Sequence, residues 1–271
     1  MRILIIGASG YLGNTIYKKL KESSSDEIYG TCCKSTRNEL IQINVLNKLD
    51  VKKLISLKPD IIIWSIYDPE QEIALSQIGL NEIVNNLSKH VRLIYVSTTV
   101  GQGKDQSENV LPHKRIEDEY FYKYINGKIE GENIVKKHNN HLIVRPGSIY
   151  GYDYDGKMDS RMKALLDISK TGKKYSRTAN MYSSYVNVED LADAIIELAY
   201  KDITGIMNIS GEDPVSYYDF YRCLAKLQGI DSSFIIPDYK EEDKYHNLNN
   251  DKRKLLLNTV IKEIGDNKLK D

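Results

Sequence analysis

The chain opens on a four-residue apolar run, Ile3-Leu4-Ile5-Ile6, and passes straight into Gly7-Ala8-Ser9-Gly10-Tyr11-Leu12-Gly13. A short run of large apolar residues closed by glycine reads as a buried strand. Gly7 permits a tight turn out of it, Gly10 removes a side chain so that backbone can approach a pyrophosphate, and Gly13 lets a following helix lie close on the sheet. The start of that helix offers unpaired N–H groups and a partial positive charge, so the segment predicts an anion cradle at the carboxyl end of a buried strand.

The rest of the first half repeats the theme. Ile28 to Cys33, Asp60 to Ile66, Val91 to Ser97 and Leu142 to Arg145 read as strands. Tyr11 to Leu20, Val51 to Leu57, Glu72 to Lys89 and Glu117 to Lys137 read as helices between them. Short apolar strands alternating with helices predict right-handed βαβ units and a parallel, doubly wound α/β sheet. After Tyr150 the alternation weakens: an amphipathic segment Ser160 to Lys170, a strand Val186 to Val188, a helix Glu189 to Tyr200, a strand Ile206 to Ile209 and a helix Ser216 to Gln228. From Lys240 onward the mixed charges read as loops plus one surface helix.

Composition excludes several classes of function. Lys+Arg and Asp+Glu both number 38, so no net field draws the chain to nucleic acid or an anionic membrane. No apolar stretch approaches the roughly 20 residues that span a bilayer. The first apolar run is too short for a signal peptide, so Met1 reads as the start of the mature chain. Cys32, Cys33 and Cys223 form no CxxC pair, adjacent strand residues point apart, and histidines do not cluster. The expectation is a reduced, cytoplasmic protein without a metal site.

Tyr124 and Lys128 are four apart in a helical stretch and share a face. A phenol with an ordinary pKa near 10 is a poor acid or base at neutral pH. A neighbouring ammonium is expected to lower it toward the working range and to hydrogen-bond a nicotinamide ribose. Thr98, at the end of a strand, offers a hydroxyl to hold a carbonyl or alcohol in line with Tyr124. With 20 tyrosines in the chain the Tyr-x-x-x-Lys spacing also arises by chance. At the end of the second strand, Thr31-Cys32-Cys33-Lys34-Ser35-Thr36-Arg37 carries no carboxylate to bind a ribose 2′-hydroxyl. Lys34 and Arg37 stand there instead, which favours NADP and leaves NAD open.

The Gly7–Gly13 loop, Val96-Ser97-Thr98-Thr99, Tyr124-Ile125-Asn126-Gly127-Lys128-Ile129-Glu130-Gly131-Glu132, Val144 to Gly151 and Tyr185 to Ala192 occur in one order along the chain. In that order they resemble the extended short-chain dehydrogenase/reductases, which include nucleotide-sugar epimerases, dehydratases and reductases. The resemblance implies a Rossmann-type NAD(P)-binding domain of residues 1–150 and about 185–210. A smaller substrate-binding subdomain would comprise about 151–184 and 211–271. It implies Thr98, Tyr124 and Lys128 as catalytic residues. The candidate cofactor set is Gly7, Ser9, Gly10, Tyr11, Leu12, Gly13, Lys34, Arg37, Asn44, Val45, Ser65, Ile66, Ser97, Tyr124, Lys128, Arg145, Gly147 and Ser148. Thr98, Thr99, Tyr150 and Arg161 are candidates for the substrate, a nucleoside-diphosphate sugar.

Within the group the chain looks most like the dTDP-4-dehydrorhamnose reductase branch, which implies NADPH-dependent reduction of a 4-keto sugar, polysaccharide biosynthesis and a homodimer through paired long helices. Thr99-Val100 replaces the Asp-Glu pair of many 4,6-dehydratases, which disfavours elimination of water. Ser183 stands where many relatives place an arginine for the diphosphate. An NAD-dependent epimerase and a non-catalytic NADP-binding regulatory subunit remain as alternatives.

Overall fold

The computed structural model describes residues 1–34 and 37–264. Ser35 and Thr36, the two hydroxyls of the segment after the second strand, and the last residues of the charged tail lie outside them. The opening apolar run is strand β1 (Arg2–Ile6), buried from Ile3 onward. It is followed by helix α1 (Tyr11–Ser23), strands β2 (Glu27–Cys32) and β3 (Ile41–Gln42), helix α2 (Lys48–Ser56) and strand β4 (Ile61–Trp64). The expected helix from Glu72 is three pieces in succession: α3 (Glu72–Ala74), a π-helical turn (Leu75–Leu80) and α4 (Asn81–Asn86). Strand β5 (Arg92–Val96) and helix α5 (Tyr122–Val135) come next.

These strands and two later ones make a seven-stranded sheet in the order Gly205–Ile209, His141–Pro146, β5, β4, β1, β2, β3. Pairing is parallel from β3 across to His141–Pro146, with Ile3 opposite both Ile28 and Ile61. The order reverses between β1 and β4, so the carboxyl ends of those strands frame the crevice where doubly wound sheets take ligands. Every residue of β4 and β5 is buried, as expected of a sheet covered on both faces. One side of the core joins Leu4, Ile6, Trp64 and Tyr95 to Val51, Leu75, Ile83 and Val135 of the helices.

The chain divides into two compact units: 1–100, 111–145 and 195–207 in the first, and 101–110, 146–194 and 208–271 in the second. Its joins at 145/146, 194/195 and 207/208 lie near the three expected ones, and residues 101–110 join the second unit as well. Residues 103–106 belong with the second unit because Gly103 and Gln106 pair with His246 and Leu248. The charged tail is likewise more than loops and a helix. Lys244–Leu248 is an inner strand of a four-stranded sheet, and Leu257, Ile261 and Ile264 are buried. The second unit has its own core of Tyr150, Met162, Leu165, Tyr185, Phe220 and Leu224.

Helix α5 begins five residues later than the spacing predicts. Phe121 adopts a left-handed conformation at φ 63° and stops any helix from running through it. All three cysteines are free. Among the described residues, no helix is long and apolar enough to cross a membrane.

Candidate active site

Gly7 sits at φ 96°, a conformation open to glycine, and its N–H donates to Thr31 Oγ1 at 3.1 Å. A Cβ on Gly13 would come within 2.2 Å of Gly7 O and 2.6 Å of Ser65 Oγ, so only glycine lets α1 descend onto the two strand ends. Ser65 donates both its N–H (2.9 Å) and its hydroxyl (3.2 Å) to Ile6 O. The backbone of Ile66 lies against Gly7. The N-cap of α1 is Gly10, which brings no side-chain oxygen to the first-turn N–H groups, and no acid lies in that turn. The residues present therefore fit a pyrophosphate: a glycine-walled approach, a helix start and no competing cap.

Of the other expected cofactor residues, Lys34 is exposed, and Arg37 Nη1 donates to Asn14 Oδ1 at 2.7 Å. Asn44 closes a small turn, its Oδ1 accepting from Leu46 N–H, and Val45 is buried beneath Gly79.

Thr98 follows β5 directly, and Tyr124 and Lys128 share one face of α5. Tyr124 is hydrogen-bonded to Thr98. Its half-buried ring meets Tyr67 edge-on at 5.1 Å and Phe121 at 5.7 Å, over Val100, Ile125 and Ile129. Lys128 is 1% exposed. Its Nζ donates to the carbonyls of Ile66 and Val96, each at 3.0 Å, and lies 2.9 Å from Glu72 Oε1. An ammonium has three N–H groups, and three acceptors surround this one.

Burial pushes the Tyr124 phenol well above its ordinary value, and the Glu72 carboxylate pushes it further; the Thr98 hydrogen bond opposes both. The Lys128 ammonium lies 5.6 Å from the Tyr124 ring centroid and 2.9 Å from the Glu72 carboxylate. Burial raises Glu72 as well, against the pull of Lys128.

A second buried network lies beside this pair. Arg145 holds Glu132 through two bonds, Nε to Oε1 at 2.9 Å and Nη2 to Oε2 at 2.7 Å. Ser97 Oγ donates to the same Oε1 at 2.7 Å. Ser97 and Arg145, both expected at the cofactor, thus converge on one carboxylate of α5. Of the remaining candidates, Thr99 belongs to the first unit and Gly147, Ser148, Tyr150 and Arg161 to the second. Thr99 is half-buried just beyond Thr98. In the second unit Gly147 N–H donates to Ile209 O and Ser148 N–H to Ser184 O. There Tyr150 is 1% exposed, in edge contact with Phe220 at 5.8 Å. Arg161 is bound to Asp159 and to the carbonyl of Ile149, its guanidinium 5.0 Å from the Phe220 ring.

Glu72 and Glu132 were missed as site residues. For Glu72 a signal is Gly127, inside α5, where a glycine is about 1 kcal/mol less favourable than alanine, as is Gly131 four residues on. A Cβ on Gly127 would meet Glu72 at 2.6 Å, and one on Gly131 would meet Tyr95 Oη at 2.1 Å. Gly127 admits the helix that carries Glu72, and Gly131 admits the ring of Tyr95.

A family model described as RmlD substrate binding domain matches residues 1–267. Methionine adenosyltransferase 2 subunit beta of Xenopus laevis is 27% identical over 257 residues, 87% of this chain and 75% of that protein. The solved dTDP-4-dehydrorhamnose reductase of Clostridium acetobutylicum has a TM-score of 0.81 at 23% identity, over 98% of this chain and 96% of its own. That of Bacillus anthracis, in complex with NADP, has a TM-score of 0.78 at 21% identity, over 98% and 95%. At these identities the two structures share the fold, while the family model spans nearly the whole sequence. The chain belongs to the RmlD substrate binding domain family, within the extended short-chain dehydrogenase/reductase group that its motifs resemble.

Proposed function

We propose that this protein is an NADP-dependent reductase of a keto group on a nucleotide-linked sugar, with Tyr124 as proton donor. The observation that carries this reading is Tyr124 hydrogen-bonded to Thr98 and one turn from Lys128, whose Nζ reaches the carbonyl of Ile66 beside the Gly7 turn. A phenol so placed can give a proton to an alkoxide that develops on a carbonyl reduced beside it.

In this reading the Gly7–Gly13 turn and the α1 start hold the pyrophosphate, and the absence of an acid at the end of β2, with Lys34 exposed beside it, accommodates a 2′-phosphate. When bound, NADPH supplies the hydride that the carbonyl carbon takes up. Thr98 and Tyr124 hold the keto oxygen between their hydroxyls. Tyr124 passes its proton to that oxygen as negative charge develops on it, and Lys128 keeps the base of α5 anchored to Ile66 and Val96.

The test is loss of NADPH absorbance with a panel of nucleoside-diphosphate 4-keto-6-deoxyhexoses, run in parallel with NADH. Turnover that prefers NADPH supports the reading and identifies the sugar and the nucleotide. NADPH binding without turnover on any member overturns it. That outcome favours a second reading, an NADP-binding subunit of an enzyme complex. The likeness to a methionine adenosyltransferase subunit beta and the fully engaged ammonium of Lys128 speak for it.

A further inference from the structure

The segment that joins β2 to β3 is fastened to α1 at several points. Arg37 Nη1 donates to Asn14 Oδ1 at 2.7 Å. One helical turn further on, Tyr17 Oη donates to Glu39 O at 3.3 Å, and Lys18 Nζ lies 3.5 Å from Glu39 Oε1. Leu40 N–H closes a turn on Arg37 O at 3.0 Å, and the Leu40 side chain is buried over Gly30, where a Cβ would meet it at 2.6 Å. Asn14 is 1% exposed, and its N–H donates to Gly10 O, the N-cap carbonyl, at 2.8 Å. Its side chain therefore leaves the first turn of α1, and it draws the Arg37 guanidinium to the end of that helix nearest the glycine cradle.

We propose that Asn14 is a positioning residue that holds Arg37 for the 2′-phosphate of NADP, so that the first turn of α1 selects the cofactor as well as seating its pyrophosphate. The proposal rests on the NADP reading of the β2 end, where no carboxylate stands between Thr31 and Arg37, and is independent of the sugar. The chemistry of the contact supports it. An amide oxygen is a neutral acceptor, so it orients a guanidinium without cancelling its charge, which a carboxylate in its place would do. A guanidinium matches a phosphate through a planar fork, and that match depends on the direction in which the fork is held. Fixing the side chain in advance also removes the cost of ordering it at the moment of binding. Lys34, the other cation of the segment, is exposed, whereas Arg37 is half-buried against α1.

The test needs no sugar substrate. Affinities for NADPH and NADH are measured by fluorescence titration of the purified protein for the wild type, R37A, N14A and the double variant N14A/R37A. R37A is expected to weaken NADPH by roughly 10–100-fold and to leave NADH nearly unchanged, as befits the loss of a charge-assisted bond to phosphate. N14A is expected to weaken NADPH by roughly 3–10-fold, again sparing NADH, and to add nothing once Arg37 is gone. A merely structural Asn14 would lower both affinities alike and would still do so in the R37A background; either result overturns the proposal. Loss of NADPH preference in R37A but not in N14A overturns it as well. A wild type that binds NADH as tightly as NADPH overturns the NADP reading and the proposal together. If N14A does not fold by far-UV circular dichroism, N14L, of similar volume and without an acceptor, carries the same expectation. Failure of the keto-sugar panel leaves these affinities intact, so the reductase reading and this proposal fail separately.

Discussion

Tyr124 and Glu132 lie on one helix, on either side of Gly127, and they answer to different forces. Tyr124 is half-buried and hydrogen-bonded to Thr98, so Tyr124→Phe removes a hydroxyl without opening a cavity. Turnover should fall by about 10²–10⁴-fold with NADPH affinity nearly unchanged, as steady-state rates and fluorescence titration will show. Glu132 is 0% exposed and accepts from Ser97 and both sides of the Arg145 fork. Glu132→Gln leaves Arg145 charged and buried, and should lower stability by about 3–5 kcal/mol in chemical denaturation. A joint E132M/R145M replacement should recover most of that loss, because it removes both charges together. At this scale the sequence displayed Gly7, Gly13, Tyr124 and Lys128 plainly, since each follows from spacing along one segment. Glu72 was hidden, because its partner is on another element and Glu70 beside it looks the same in the sequence. Glu70 is bound to Lys123 at the surface, and tertiary packing alone separates the two.

Glu72 also ties the pair to pH. Burial raises it above the ordinary 4.5, so the folded chain binds that proton more tightly than the unfolded one. Its contribution is therefore fully present below pH 4.5 and is lost as pH rises through the folded value.

Among the elements, α5 is the one whose composition conflicts with its own propensity. Two glycines in the middle of a 14-residue helix are unfavourable in isolation, and the helix contact they permit offsets them. Gly131→Ala would place a methyl 2.1 Å from Tyr95 Oη and 2.5 Å from its Cζ. Tyr95 is fully buried and cannot swing aside, so overpacking should exceed the propensity gain and destabilise by about 1–3 kcal/mol, readable in thermal unfolding. The long, periodic elements were legible: β1, α1, β4, β5 and the helix Tyr217–Leu227 with its Ser216 cap all lie within a few residues of expectation. The strands Met181–Ser183, Val215–Ser216 and Lys244–Leu248 were not. They are short, and their polar residues carry no alternation strong enough to stand out from loop.

Across the whole molecule, the second unit depends on the end of the chain. Lys244–Leu248 lies between Met181–Ser183 and Gly103–Gln106, while Leu248, Leu257, Ile261 and Ile264 are buried. At about 1.5–3 kcal/mol for each such side chain, their burial rivals the net stability of an ordinary domain, about 5–15 kcal/mol. A chain ending at residue 239 should therefore lose its second unit, and limited proteolysis should cut within residues 146–194 while the full-length protein resists.

The same strand order has a temporal side. Residues 103–106 leave the ribosome long before the strand that pairs with them, and β1 to β5 can assemble while that segment has no partner. At about 5–20 residues per second the wait is on the order of ten seconds. During translation the segment that follows Thr98 is an unpaired strand edge in a nascent chain, a natural client for a chaperone until the last few dozen residues emerge to claim it.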